Sequence, residues 1–306
     1  MSSETIHLNN NSIRGENASF DDTLAGLPCM TFAGGDSRIA VARQGAQVLS
    51  WRDAKGRERL YLSPQTGGDK RGELRDDATL PQAIRGGVPV CFPQFSGRGP
   101  LLKHGFARSV AWTLESLSTD AARSIALFTL RDDERTHAIW PHAFLAQLSV
   151  AVEPRRLIMT LTLTNNGDAP WSFTGALHTY LRVNDIARTE LAGLQHTHYQ
   201  DATADNVEMI ERESSIKIGA ELDRVYLSPP ASLQLLEDGK PSLCIEHAGF
   251  TDTVVWNPGP ILARNFKDFP DDDWRHMLCV EAACAAKPVV IPSGKTWIGS
   301  QTLTVA

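Results

Sequence analysis

Arg155 to Val183, RRLIMTLTLTNNGDAPWSFTGALHTYLRV, decides the fold. Leu157, Met159, Leu161 and Leu163 alternate with Ile158, Thr160, Thr162 and Thr164, a period of two that suits a strand and not a helix. Asn165-Asn-Gly-Asp168 then turns the chain, and Trp171 to Val183 alternates once more, so two antiparallel strands are expected. On the second, Trp171, Phe173, Gly175, Leu177, Thr179, Leu181 and Val183 share one face. Ser172, Thr174, Ala176, His178, Tyr180 and Arg182 share the other, which puts His178 on the polar side.

The same texture extends in both directions. Ser37 to Asp53 reads as strand, a turn follows at Gly56, and Leu60 to Ser63 restarts an apolar run. Downstream, residues 214–230 read as two strands, Leu233–Leu236 and Ser242–His247 as a hairpin around Glu237-Asp238-Gly239, and residues 251–260 as a strand ended by Asn-Pro-Gly-Pro. Short strands at regular turn spacing, with few helices and no repeat, predict an all-β chain folded as a large antiparallel β-sandwich. Residues 1–20 are polar and read as a flexible arm, leaving 21–306 as a single domain.

The chain has 306 residues, 42% of them hydrophobic, and a net charge of -6 without long runs of one sign. That balance argues against a nucleic-acid surface or a polybasic membrane patch and favours a small ligand. The N-terminus lacks the apolar core of a signal peptide, and no apolar run is long enough to span a bilayer. Five cysteines, an odd number without a Cys-x-x-Cys spacing, suit reduced thiols, and a cytoplasmic location is expected.

Two features carry chemistry. Ile84 to Arg108, IRGGVPVCFPQFSGRGPLLKHGFAR, gathers three arginines, a lysine and a histidine among glycines and prolines, as a loop holding an anion would. Glu281 stands among Met277, Leu278, Cys279 and Val280, where burial is costly unless the carboxyl is paired or used. His178 and Glu281 on different strands form a candidate acid/base pair. Two other signals fall away: Ser293-Gly-Lys-Thr296 has Val289 where a phosphate-binding loop needs glycine, and His196 and His198 read as solvated loop residues.

Arg85-Gly-Gly-Val-Pro-Val-Cys-Phe-Pro93, His104-Gly-Phe-Ala-Arg108, Ala176-Leu-His-Thr-Tyr180, Asp223-Arg-Val-Tyr226 and Met277-Leu-Cys-Val-Glu281, in this order, resemble the hexose-6-phosphate mutarotases, the glucose-6-phosphate 1-epimerase branch of the aldose epimerase family. The resemblance implies a galactose-mutarotase-like supersandwich with His178 as general acid and Glu281 as general base. Arg85 and Arg108 match its phosphate ligands, and Asp201 its substrate-binding Asp. Lys103, where relatives often carry Gln, would suit a phosphate, and His104 either orients the sugar or braces the loop. Arg98 is expected to be a solvated charge. The implied reaction interconverts the α and β anomers of a phosphosugar without cofactor or metal. A charged His178 is expected to be easily reached near neutral pH, favoured further by a facing carboxylate. A mutarotase of neutral aldoses and a silent carbohydrate-binding sandwich are the alternatives.

Overall fold

The alternating run from Arg156 to Asn165 forms a strand of a ten-stranded sheet, paired antiparallel with Phe144–Glu153 on one side and Thr296–Val305 on the other. The computed structural model describes residues 11–14, 20–66 and 82–306. A second sheet holds β1 (Val90–Cys91), β2 (Trp171–Leu177), β3 (Tyr180–Arg182), β4 (His198–Asp201), β5 (Val207–Ile210), β6 (Leu222–Leu227), β7 (Asp252–Asn257) and β8 (Met277–Ile291). Its order is β5-β4-β6-β7-β8-β2-β1, with β3 also on β8. A four-stranded sheet, Asp22–Leu24, Leu27–Gly34, Ser37–Ala42 and Val48–Arg52, completes the β architecture.

The two strands of the diagnostic stretch both form, but they are not a hairpin. Asn165 bends the chain from one sheet to the other: its side-chain amide donates to the carbonyls of Ala169 and Ile291, and its Oδ1 accepts from Gly167 N–H. The crossing lets Leu157, Met159, Leu161 and Leu163 bury against Trp171 and Phe173 of the opposite sheet instead of beside them. Phe92 sits among Trp140, Phe144, Trp171 and Phe173 at centroid distances of 5.4–6.2 Å, an aromatic plug between the sheets.

The hairpin at Asp238-Gly239 forms as the turn chemistry requires, both residues having positive φ (53° and 70°). Residues 37–53, which read as one strand, divide instead at Arg43–Gln47, where Gly45 has a φ of 70°. Most of the expected N-terminal arm lies outside the described residues. Asn11–Arg14 of it pairs as an edge strand with Thr113–Thr119. No helix among the described residues is long and apolar enough to cross a membrane.

Candidate active site

Along β8 the side chains divide between two faces. Leu278, Val280 and Ala282 share one face and Cys279, Glu281 and Ala283 the other, and all six are buried. Leu177 of β2 pairs with Ala282 and Tyr180 of β3 with Cys279, so His178, in the gap between them, stands opposite Glu281. In that gap His178 N–H bonds the Pro89 carbonyl and Thr179 N–H the Leu177 carbonyl. The break in the ladder leaves the imidazole over β8, with Nδ1 3.3 Å from Glu281 Oε1.

Both groups are buried, His178 at 6% and Glu281 at 1% exposure. They touch without a well-formed hydrogen bond: His178 Nδ1 and Glu281 Oε2 are buried atoms with no hydrogen-bond partner. Burial, joined by the negative charge of Asp223, pushes the Glu281 carboxyl well above the usual range. Burial, joined by Arg108 and Arg85, holds the His178 imidazole well below its usual value. The expectation of a charged histidine facing a carboxylate is therefore corrected: burial opposes both charges, and the pair favours its neutral form, with one titratable proton between the two groups.

The surroundings fix the pair. Tyr180 lies flat on His178, with ring centroids 4.8 Å apart and an interplanar angle of 8°. The His104 ring meets His178 edge-on at 5.1 Å. His104 Nδ1 accepts from Ser96 N–H at 3.2 Å and lies 3.2 Å from Cys91 Sγ. A ring nitrogen that accepts a backbone N–H cannot carry the proton, so neutral His104 holds its hydrogen on Nε2. Burial, then Arg108, favour that neutral form. Loop bracing and a free donor are thus compatible roles for one ring.

The three cations assigned to substrate gather around this centre. Arg108, Arg85 and Lys103 all act electrostatically on His178. Arg85 is anchored by Asp268 and reaches Tyr180, Arg108 donates to the Lys103 carbonyl at 2.8 Å, and Lys103 is exposed. Arg98, expected to be solvated, instead bridges Gln200 (2.8 Å) and Asn206 (2.9 Å), tying its loop to β4 and the turn after it.

Asp201 is not brought to the pair. Asp201 pairs with Arg224, which pairs with Val255, which pairs with Val280, so the register sets it on the face opposite Glu281. Its Oδ1 accepts from Thr203 N–H and Oγ1, and Arg224 approaches its other oxygen at 3.5 Å. Asp223, not Asp201, lies on the face of Glu281. It lies opposite Trp256, which lies opposite Cys279, on the Glu281 face, and burial raises its carboxyl to about 6. The signal was present in the Asp223-Arg-Val-Tyr226 motif, two residues of which alternate toward each face.

His196 and His198 are exposed, and His198 Nδ1 lies 3.0 Å from Glu208 on the neighbouring strand. The described residues that could hold a metal are elsewhere: His178, Cys279 and Glu281, with potential ligand atoms within 4.8 Å of one another.

The sequence pattern of the aldose 1-epimerase family matches residues 28–304. A Cenchrus ciliaris protein provisionally named glucose-6-phosphate 1-epimerase is 34% identical over 85% of this chain and 79% of its own. An Escherichia coli protein with the same provisional name is 34% identical over 88% of this chain and 87% of its own. The crystal structure of a provisionally assigned mutarotase from Salmonella typhimurium superposes with a TM-score of 0.82 at 30% identity, covering 93% of this chain and 92% of that one. A galactose mutarotase-like protein from Lactobacillus casei shares the fold at a TM-score of 0.69 and 14% identity, over 91% of this chain and 100% of that one. Matched over nearly its whole length, the chain belongs to the aldose 1-epimerase family.

Proposed function

We propose that this protein interconverts the α and β anomers of a hexose 6-phosphate, with glucose 6-phosphate as the reference substrate, in the cytoplasm. The observation that carries this reading is a buried acid/base pair, His178 and Glu281 at 3.3 Å, within the field of Arg85, Arg108 and Lys103. A neutral aldose gives such a cluster nothing to neutralise. A phosphate offers it a dianion suited to guanidinium forks. The names of the Cenchrus and Escherichia relatives agree with this choice.

Anomer exchange requires one proton to leave the C1 hydroxyl and one to reach the ring oxygen, so the ring opens to the aldehyde. Rotation about the C1–C2 bond and closure with the roles reversed give the other anomer. A pair that shares one proton is suited to both directions, since whichever group donates, the other can accept. Burial and the charge of Asp223 favour that proton on Glu281. The bound phosphate offsets the charges of Arg108 and Arg85 that depress His178, which moves the proton toward the imidazole and frees the carboxylate as base. Asp223 and the Nε2–H of His104 are positioned to bind sugar hydroxyls.

The test is α/β exchange of glucose 6-phosphate and of glucose, followed in parallel by NMR saturation transfer. Faster exchange of the phosphosugar is expected. Equal acceleration of both sugars would point to a neutral-aldose mutarotase, and acceleration of neither to a binding protein.

A further inference from the structure

We propose that His178, Cys279 and Glu281 form an inhibitory site for one thiophilic divalent cation, with Zn2+ or Cd2+ as the chemical class. The acid/base role of two of these residues accounts for the inhibition but not for the binding. Cys279 and Glu281 are two residues apart on one face of β8, and His178 stands opposite Glu281 across the break between β2 and β3. One sulfur, one nitrogen and one oxygen ligand thus face a common point, all within 4.8 Å.

Two further observations point to a ligand there. His178 Nδ1 and Glu281 Oε2 are buried polar atoms without hydrogen-bond partners, a costly arrangement that a coordinated ion would relieve. The 3.3 Å between His178 Nδ1 and Glu281 Oε1 also matches the edge of a tetrahedron with metal–ligand bonds of about 2.0–2.1 Å. The thiolate sulfur completes three protein ligands, and a water or a substrate hydroxyl fills the fourth position.

The donor set and the setting select the ion. Mg2+ and Ca2+ need oxygen ligands and gain little from imidazole and sulfur. Arg85, Arg108 and Lys103 near the site repel a weakly bound dication, so only one with high affinity for thiolate and imidazole stays. On binding, the Cys279 thiol proton and the proton shared by His178 and Glu281 pass to solvent. The bound ion occupies the two atoms that exchange protons with the sugar, so turnover stops.

Co2+ serves as the spectroscopic probe on the full chain. One equivalent should produce a thiolate-to-cobalt charge-transfer band and intense tetrahedral d–d bands, and Zn2+ should displace it. Cys279→Ser should abolish the thiolate band and weaken Zn2+ inhibition by roughly tenfold or more while leaving metal-free anomer exchange intact. Cys244→Ser, at the partly exposed thiol far along the other sheet, should change neither. Should Cys279→Ser not fold, Glu281→Gln is read by Co2+ spectra alone and should lose the tetrahedral signature. Octahedral spectra without a thiolate band in the wild type, or unchanged Zn2+ inhibition in Cys279→Ser, would overturn the proposal. Co2+ binding with the expected spectrum in a protein that accelerates no sugar would uphold the site and remove the epimerase reading instead.

Discussion

Arg85 donates to both carboxylate oxygens of Asp268, at 3.2 and 3.1 Å, and its guanidinium lies 4.5 Å over the Phe266 ring. A guanidinium held in this way keeps its plane and its charge, and presents its remaining N–H groups toward the Tyr180 side of the site. Arg85→Ala should raise KM for glucose 6-phosphate ~10–100-fold, the loss expected for charge-assisted hydrogen bonds worth about 1.5–3 kcal/mol. Exchange of free glucose should change by only about two- to threefold, within the spread of lost packing. Steady-state kinetics on both sugars decides it, and parallel losses would remove Arg85 from phosphate recognition.

The contact between His178 and Glu281 leads to a catalytic prediction. His178→Asn and Glu281→Gln should each slow anomer exchange ~10²–10⁴-fold, because either change removes one end of the proton exchange. The double variant should be little slower than the worse single one, as befits two groups acting as a unit. Saturation-transfer rates for the four proteins form the cycle. Additive losses would mean that the two residues act in separate steps.

The same carboxyl should cost stability. Glu281 has its folded-state value raised, so the folded chain binds more protons than the unfolded one once pH exceeds the ordinary glutamate value of 4.5. Its unfavourable contribution is absent below that pH and grows as pH rises toward the folded value. Glu281→Gln keeps the shape without the charge. It should therefore melt at least ~2 °C above the wild type at pH 8 and close to it at pH 4.5. Calorimetric scans at the two pH values test this, and a pH-independent difference would show that Glu281 is not buried at this cost.

Asp223 and Asp201 separate the two faces of the second sheet. With its carboxyl raised to about 6, Asp223 is ionised above that pH and neutral below it. An acceptor for sugar hydroxyls is strongest when ionised, so KM should rise as pH falls through about 6. Asp223→Asn should raise KM ~10-fold at pH 8 and flatten this dependence. Asp201→Asn, which loosens the Thr203 turn and the Arg224 contact, should leave KM nearly unchanged. The reverse ranking would restore Asp201 to the site.

These contrasts mark how far the chain could be read unaided. The period of two identified the strands, the faces of β8 and the polar face carrying His178, because alternation is local and the core enforces it; that His178 and Glu281 meet depends on the pairing of two distant strands. Sheet membership was not local: nothing in Asn165 to Pro170 distinguishes a hairpin turn from a crossing between sheets until Ile291 and Ala169 accept the Asn165 amide. Asp201 was misplaced for the same reason, since its face depends on a register transmitted through β6 and β7. Arg98 was read as solvated because Gln200 and Asn206 lie a hundred residues away in sequence. The charged histidine expected beside Glu281 fails because burial opposes the imidazolium as well as the carboxylate, and only the carboxyl's burial is visible in the residues around it.

The loop bearing His104 depends on one glycine. Gly105 has a φ of 68°, and a Cβ on it would lie 2.2 Å from the Phe92 carbonyl oxygen, whereas Gly56, at a φ of 78°, has open space. Left-handed backbone alone costs an alanine about 1–2 kcal/mol, so Gly56→Ala should lower Tm by roughly 2–3 °C and leave exchange kinetics intact. Gly105→Ala adds a clash with backbone that cannot swing aside as a side chain could. It should lower Tm further. It should also slow exchange at least ~10-fold even where the protein is fully folded, because the only relief is to move the segment that aligns His104 with His178. Thermal melts and saturation transfer on the two alanine variants decide the point, and matched behaviour would mean that the loop yields without disturbing the site.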